Sequence, residues 1–228
     1  MTGMSVKDDI QVGIVGGSGY SGGELMRLLL GHPRARIAWV SSRGDKRLDA
    51  IHRNLVGTGL RFIREEDAGA ADVVFLCTPS RESMLKAPGY LARGARVIDI
   101  GSDFRLKDRS IFERVYKAEH TCWELVGEAP YGATELHRDA IRRARLVANP
   151  GCFAYTAILT LAPLVKAGLI DRERVVVDGL SGPRAPAPSR ARRRITARSA
   201  TAPFPTTSSS TAIPTRSSRS CRASPARR

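Results

Sequence analysis

The sequence lacks the features that mark zinc centres, disulfide frameworks and membrane spans. Its four cysteines are scattered with no Cys-x-x-Cys pair, and its four histidines show no metal-ligand spacing. We therefore predict no metal site and a reducing compartment, the cytoplasm. The apolar runs are too short to cross a bilayer, and the polar residues 1–9 do not read as a signal peptide. Each histidine is expected to be a loop or surface residue.

The last part of the chain lacks most of the residue types that build a core. Residues 183–228 contain no Asp, Glu, Lys, Gly, Leu or Val. They consist of Arg, Ser, Thr, Pro and Ala, apart from Ile195, Phe204, Ile213 and Cys221. Such a segment cannot bury enough apolar surface to offset its chain entropy, so we predict a disordered tail.

The charge excess belongs mainly to this tail. The whole chain carries +15, from 37 basic and 22 acidic residues, but eleven arginines and no acids lie in residues 183–228. Residues 1–182 hold 26 basic and 22 acidic residues, or +4. A pI of 10.6 would ordinarily favour a nucleic-acid partner. With Phe204 as the only aromatic residue among the tail arginines, a base-stacking platform and a nucleic-acid partner are not expected.

Apolar strands alternate with helices over the first two thirds of the chain. Continuous apolar strands separated by helices indicate a parallel sheet covered on both faces. The predicted fold is therefore α/β, a Rossmann-like doubly wound parallel sheet. Strands are predicted at 10–15, 36–41, 71–77, 95–100 and 145–148, and helices at 22–30, at 80–93 with a break near Pro88-Gly89, and, buried, at 154–165.

A glycine-rich turn follows the first predicted strand and opens the first predicted helix. Gly13, Gly16 and Gly19 recur at a spacing of three. Glycines there allow a tight turn and let the backbone approach a pyrophosphate, whose charge sits at the helix N-terminus. We assign cofactor binding in this stretch to Gly13, Gly16, Ser18, Gly19, Tyr20 and Ser21.

The end of the second predicted strand indicates which dinucleotide binds. An NAD site usually places Asp or Glu there for the ribose 2′-hydroxyl, whereas this chain has Ser41, Ser42 and Arg43. Hydroxyl groups and a guanidinium suit a 2′-phosphate. We therefore predict NADP as the cofactor, bound by these three residues. The alternative is an ordinary solvated basic loop.

A single cysteine occupies a position that favours nucleophilic chemistry. Asn149-Pro-Gly-Cys152-Phe153 lies between the last predicted strand and the last predicted helix. The unpaired N–H groups and the positive dipole end of a helix N-terminus favour thiolate over thiol. A thiolate at Cys152 would be a competent nucleophile for acyl transfer. The alternative is a small hydrophobic residue at a helix start.

Together these motifs resemble the N-acetyl-gamma-glutamyl-phosphate reductases of arginine biosynthesis. The resemblance runs in family order over residues 10–182 and rests on the stretches 12–22, 41–43, 72–76, 97–108, 131–132 with 135–136, and 148–153. It implies NADPH-dependent reduction of N-acetyl-gamma-glutamyl phosphate to N-acetylglutamate semialdehyde through a cysteine thioester. Cys152 would be the nucleophile, Asn149 would orient the thiolate or help to bind the oxyanion, and Arg105 would bind the substrate's anionic groups or form a structural salt bridge.

Two stretches depart from the family pattern. The family usually shows Leu-Pro-His-Gly where this chain has Cys77-Thr-Pro-Ser-Arg81, and Gly-Leu-Pro-Glu where it has Gly132-Ala-Thr-Glu135. The departures leave open a reductase acting on a carrier-protein-linked aminoadipyl or glutamyl phosphate. A different class of function also stays open: a non-catalytic NADP-binding protein with a basic tail that binds RNA or another anion.

The resemblance implies three segments with unequal roles. Residues 1–148 would form the NADP-binding domain, 149–182 the truncated start of an α/β catalytic and dimerisation domain, and 183–228 a non-native tail. The family's second domain supplies a catalytic histidine from a His-Arg-His segment, and this chain has no histidine after His137. We therefore expect weak or no activity and no family-type homo-oligomer.

The abrupt change of composition after about Gly182 is interpreted as a shifted reading frame. With suitable codons, residues 210–219 read in a shifted frame as His-Arg-His-Pro-His-Glu-Ile-Glu-Gln. That peptide resembles the family's missing histidine segment. The gene sequence around codons 180–190 tests this hypothesis.

Overall fold

Six parallel strands form one sheet in the computed structural model, which describes residues 9–44 and 46–178. The strand order is β3-β2-β1-β4-β5-β6, and every neighbouring pair is parallel. This order is that of dinucleotide-binding doubly wound folds, so the predicted fold class is confirmed. The strands are β1 Ile10–Val15, β2 Ala35–Ser41, β3 Phe62–Ile63, β4 Val73–Leu76, β5 Arg96–Asp99 and β6 Leu146–Ala148.

Helices connect these strands and differ from the sequence prediction mainly where they are short or polar. The first helix begins at Tyr20 rather than Gly22, because Gly19 is already its N-cap. The sequence prediction missed β3 and four helices, which are α2, α4, α5 and α6. The helices are α1 Tyr20–Leu30, α2 Leu48–Ile51, α3 Ser83–Ala92, α4 Arg109–Tyr116, α5 Glu124–Glu128, α6 Thr134–Arg143 and α7 Cys152–Lys166.

Apolar side chains cover the sheet on both faces. Along β1, Val12 and Ile14 join a buried cluster with Met26 of α1, whereas Val15 joins a second cluster with Phe104. Alternate strand residues point to opposite faces, so both clusters are needed to bury a continuous apolar strand. The prediction of a sheet covered on both sides is confirmed.

The predicted helix break at Pro88-Gly89 is wrong, because α3 runs through Pro88 without interruption. Proline lacks the N–H that would donate to the carbonyl four residues earlier, here that of Met84. Two side chains replace that donor: the Met84 carbonyl accepts from Thr121 Oγ1 at 3.3 Å and from Cys122 Sγ at 3.1 Å. Since the orphaned carbonyl is satisfied, the helix continues.

The predicted burial of the last helix is also wrong. Within the described part of the chain, no residue of the apolar helix α7 is buried. Phe153 is 53% exposed and Val165 is 39% exposed. An apolar sequence favours burial only if another element packs against it. The helices α1 and α3, by contrast, do pack on the sheet.

All described residues belong to one compact unit. The predicted boundary near residue 148 therefore stays a prediction. Residues 179–182, the tail 183–228 and the hypothesis of a shifted frame lie outside the described residues. Among the helices that are described, none has the length and apolarity needed to cross a membrane.

Candidate functional site

The glycine turn lies at the point of the sheet where the strand order reverses, between β1 and β4. The N–H groups of Gly16 and Gly17 donate to the Ser41 carbonyl at 3.1 and 2.9 Å, which ties the turn to the end of β2. Gly16 has a φ of +80°, and a Cβ there would lie 2.4 Å from the Cys77 carbonyl oxygen. Only glycine fits this position, and ligands of doubly wound folds bind at this crevice.

Three N–H groups of the turn and the start of α1 are left for a ligand. Those of Ser18, Ser21 and Gly22 donate to no backbone carbonyl within residues 9–44 and 46–178. The first turn of α1 contains no acidic residue. N–H donors at the positive end of a helix commonly bind the phosphates of a dinucleotide. We call these three groups the loop donors.

Gly13 lies outside this turn, although the sequence analysis assigned it to cofactor binding. It sits inside β1, where the pairing with β2 shifts register between Val12 and Gly13. A Cβ at Gly13 would come within 2.2 Å of the Trp39 ring. The missing side chain thus makes room for an aromatic ring in the core. A local glycine pattern cannot distinguish this packing from a ligand contact.

The other predicted cofactor residues lie around the turn and at the end of β2. Gly16, Ser18 and Gly19 are in the turn, and Tyr20 and Ser21 open α1. Ser41 is buried and contributes its carbonyl, whereas Ser42 is half-buried and Arg43 is exposed. The structure therefore gathers these residues, Gly13 excepted, along one edge of the sheet.

Arg43 already has a partner that the sequence analysis missed. Its guanidinium forms an ion pair with Glu82, the residue that precedes α3. The Arg43 side chain is 74% exposed and that of Glu82 is 23% exposed. The pair places a carboxylate beside the predicted 2′-phosphate position. No local pattern signals it, because 39 positions separate the two residues.

The cysteine loop follows β6 at the same carboxyl edge of the sheet. Cys152 is exposed and is the first residue of α7, with Gly151 as the N-cap. The N–H of Asn149 donates to the Asp99 carbonyl at 2.9 Å. The Asn149 side-chain amide donates to the Pro150 carbonyl at 3.2 Å. Asn149 therefore shapes the loop, and its amide is engaged within it.

Arg105 holds the loop after β5 against the cysteine loop. Its Nε donates to the Asn149 carbonyl at 2.7 Å, and its Nη2 donates to the Ile100 carbonyl at 2.9 Å. Its Nη1 is 3.1 Å from the position that a Cβ would take on Gly151. Arg105 thus bonds to carbonyls, not to a carboxylate, within the described residues, and it keeps a charged edge beside the cysteine loop.

The neighbouring Asp103 organises the segment that departs from the family pattern. Its buried carboxylate accepts from the N–H of Arg81 at 2.7 Å and from that of Met84 at 3.0 Å. The second bond satisfies an N–H of the first turn of α3. Arg81 has a φ of +73°, a conformation that costs about 1 kcal/mol in a residue with a side chain. The Asp103 bond stabilises Arg81 in that conformation.

His52 and His120 lie in loops, as the sequence analysis expected, yet both side chains are buried. His120 is 3% exposed, contacts the ring of Phe112, and places Nε2 3.2 Å from the Asp103 carbonyl. His52 is 9% exposed and lies against the glycine turn. Burial lowers the pKa of His120. An imidazole can be buried when its nitrogens find partners, and sequence spacing does not reveal such partners.

Asp99, at the end of β5, predicts a pH dependence of stability. Burial raises its pKa to about 6, from an ordinary 3.8. Between these values the folded state binds a proton that the unfolded state has lost, so stability falls as pH rises. The two-unit difference corresponds to about 3 kcal/mol of unfolding free energy. Urea titrations across this window should show that the Asp99→Asn variant lacks this decline.

The side-chain amide introduced by Asp99→Asn would also disturb the hydrogen bond that the Asp103 N–H donates to the Asp99 carboxylate at 3.2 Å. The absolute unfolding free energy of the Asp99→Asn variant is therefore not a test of the pKa. The quantity to compare is the slope of stability against pH. Exposed carboxylates titrate in both proteins and cancel in the comparison. Identical slopes would contradict the raised pKa of Asp99.

Within the described ranges, no group of three or more His, Cys, Asp or Glu side chains could hold a metal ion.

Comparison with known proteins identifies relatives for the same part of the chain. Residues 11–144 match the family described as "Semialdehyde dehydrogenase, NAD binding domain". The chain is 48% identical over 178 residues to an N-acetyl-gamma-glutamyl-phosphate reductase of Janthinobacterium sp. (strain Marseille). It is 44% identical over 180 residues to the reductase of that name from Bordetella pertussis. The resemblance predicted from the motifs is confirmed.

These relatives are longer than this chain. The alignments cover 76% of the chain but 52% and 51% of the two relatives, so the chain spans about half their length. Among solved structures, aspartate semialdehyde dehydrogenase II from Vibrio cholerae is similar, with a TM-score of 0.50 and 19% identity. That match covers 70% of this chain and 43% of the dehydrogenase, and it supports the fold.

Proposed function

The chain belongs to the semialdehyde dehydrogenase NAD-binding-domain family, and from that premise we propose that it serves NADPH-dependent reduction of N-acetyl-gamma-glutamyl phosphate. The product would be N-acetylglutamate semialdehyde. One observation carries the proposal: the glycine turn and the cysteine loop both follow carboxyl ends of strands in a single parallel sheet. A candidate dinucleotide-binding site and an exposed nucleophile therefore lie at the same edge of the sheet.

The glycine turn fits a dinucleotide. The loop donors are available for its phosphates, and a Cβ at Gly16 or Gly17 would meet neighbouring atoms at 2.4 or 2.1 Å. NADPH, when bound, supplies the hydride. The residues of the chain provide the rest of the proposed chemistry.

Cys152 would carry the acyl group. Its thiolate attacks the acyl carbon of the substrate, a C–S bond forms, the C–O bond to phosphate breaks, and phosphate leaves. After reduction of the thioester, the C–S bond breaks and the thiolate is regenerated as the aldehyde is released. Arg105 supports this step by holding the Asn149 carbonyl and by keeping Nη1 beside Gly151. A cation there stabilises negative charge on substrate oxygens.

The nicotinamide cofactor is proposed to be NADPH because of Arg43 and its hydroxyl neighbours. Arg43→Ala should weaken NADPH binding about tenfold and NADH binding much less, because only NADPH carries the 2′-phosphate that a guanidinium binds. Fluorescence titration of both nucleotides with both proteins measures the two ratios. Equal losses for NADH and NADPH would contradict the assignment.

Two further variants sharpen this test. Arg109→Ala removes another exposed arginine that is paired with acids, on α4, and should leave both affinities unchanged. Glu82→Gln removes the carboxylate that now pairs with Arg43. It should strengthen NADPH binding, because the 2′-phosphate no longer competes with Glu82.

The substrate is tested with the 228-residue chain itself. Because the chain has no histidine after His137, the expected activity is weak and the readout is a single turnover. N-acetyl-gamma-glutamyl phosphate should slowly leave one acyl group on Cys152, detected by intact mass and peptide mapping, and NADPH should then remove that group as aldehyde. The departures at 77–81 and 132–135 favour comparing a carrier-protein-linked aminoadipyl phosphate in the same assay. Acylation by the carrier-linked substrate alone would replace the proposed substrate, and acylation by neither would overturn the reductase proposal.

The cytoplasm is the proposed compartment. Cys77, Cys122 and Cys152 are free thiols in the described residues, as expected for a protein of a reducing environment.

A further inference from the structure

A histidine ring lies against the glycine turn, and the proposed reaction does not use it. His52 is 9% exposed, and its Nε2 lies 2.8 Å from the carbonyl oxygen of Gly17. A carbonyl oxygen only accepts hydrogen bonds, so Nε2 carries the proton and donates it. The bond joins positions 35 residues apart.

The ring is held in a notch that the chain provides on α1. A Cβ at Gly23 would lie 2.4 Å from Cε1 of His52, so a glycine is needed there for the ring to fit. The ring edge also meets Phe62 of β3, with centroids 6.2 Å apart. The His52 N–H donates to the Leu48 carbonyl at 2.8 Å, which fixes the backbone of the histidine. The ring therefore has one defined position.

The hydrogen bond to the Gly17 carbonyl also sets the direction of the Ser18 N–H. The Gly17 carbonyl and the Ser18 N–H belong to the same planar trans peptide group and point in opposite directions. His52 fixes the oxygen on the ring side, and the Ser18 N–H then points away from the ring. Ser18 supplies one of the three loop donors. Without a partner, this peptide between a glycine and a serine could rotate at low cost.

We propose that His52 is a positioning residue for the dinucleotide: by donating to the Gly17 carbonyl, it presets the Ser18 N–H as a donor to the pyrophosphate. The inference rests on the cofactor site of the proposed function. Loss of the donor leaves the buried Gly17 oxygen unpaired. A rotated peptide would present that oxygen, rather than an N–H, to the phosphate.

Two substitutions separate the hydrogen bond from the packing of the ring. His52→Phe keeps an aromatic ring in the notch and removes the donor, whereas His52→Gln removes the ring and keeps an N–H that can reach the Gly17 carbonyl. We expect His52→Phe to raise the Kd of NADPH and of NADH alike by about tenfold, since both contain the pyrophosphate. His52→Gln should stay within about threefold of the wild type. Urea unfolding of each variant is measured in parallel.

The outcomes distinguish this inference from the proposed function. Wild-type binding of NADPH tests the cofactor site, and the ratio between the two variants tests His52. Unchanged binding by His52→Phe, or weaker binding by His52→Gln than by His52→Phe, would show that the ring only packs and would overturn the inference. A wild-type chain that binds neither nucleotide would overturn the cofactor site and this inference with it.

Two measurements cover the case in which His52→Phe fails to fold. Gly23→Ala places a methyl group where the ring lies and should reproduce the loss of nucleotide affinity with His52 still present. In the wild-type chain, the amide proton signal of Ser18 should move downfield when NADPH is added, as expected for a new bond to phosphate. A Ser18 signal that does not move would overturn the inference.

Discussion

Cys152→Ser should abolish acyl transfer to the chain and leave NADPH binding unchanged. The serine hydroxyl is a far weaker nucleophile than a thiolate, and no thioester can form on it. Because Cys152 is exposed, the substitution should change the unfolding free energy by no more than about 0.5 kcal/mol. Intact mass after incubation with the acyl phosphate measures the first effect, and fluorescence titration measures the second. An acyl adduct of normal yield on the serine variant would refute the role of Cys152.

Thiol reagents provide a control that does not depend on the substrate. Burial raises the pKa of Cys77 to about 12, and the nearby Asp99 adds to the shift. Burial likewise raises the pKa of Cys122 to about 12. At neutral pH roughly one in 10⁵ of such thiols is ionised, so iodoacetamide should label the exposed Cys152 at least about a hundredfold faster. A Cys221→Ser background is needed, because Cys221 lies outside the described residues.

Gly16→Ala should destabilise the fold and remove dinucleotide binding. The alanine would have to adopt a φ of +80°, which is strained for a residue with a side chain. Its Cβ would also lie 2.4 Å from the Cys77 carbonyl oxygen, a backbone atom that cannot move aside alone. Strain and overlap together should lower the unfolding free energy by about 3 kcal/mol. Urea unfolding measures that loss. Where the chain still folds, the displaced turn no longer offers its loop donors, so NADPH binding is lost as well.

Gly57→Ala is the matched control for this prediction. Gly57 has a φ of +83°, and a Cβ there would meet nothing within 4 Å. Its replacement should cost only the conformational penalty of about 1 kcal/mol and leave NADPH affinity unchanged. Losses of the same size for both variants would show that the close approach of the turn to Cys77 has no energetic role.

Much of the fold could be predicted from local sequence patterns. Apolar segments place five strands within two residues of their observed bounds, and the glycine turn lies between the first strand and the first helix as predicted. These features depend on near neighbours in the chain, which periodicity and glycine spacing report directly. The strand β3 and the helix α2 were missed because they have two and four residues, too few to show a period.

The candidate site was predicted less completely, because several of its contacts join distant positions. The ion pair between Arg43 and Glu82 and the bond from His52 to Gly17 span 39 and 35 residues. The anchoring of the Asn149 carbonyl by Arg105 spans 44. A sequence shows that such groups exist and leaves their partners undetermined.

The sequence by itself determined the class of fold, the place of the glycine turn and the position of Cys152 at a helix start. Each depends on the conformational preferences of consecutive residues. Tertiary structure alone decided that Gly13 makes room for Trp39, that Pro88 leaves α3 intact, and that His52 lies under the turn. Those outcomes depend on which distant atoms fill the space beside a residue, and packing around the sheet settles that choice only when the whole domain is assembled.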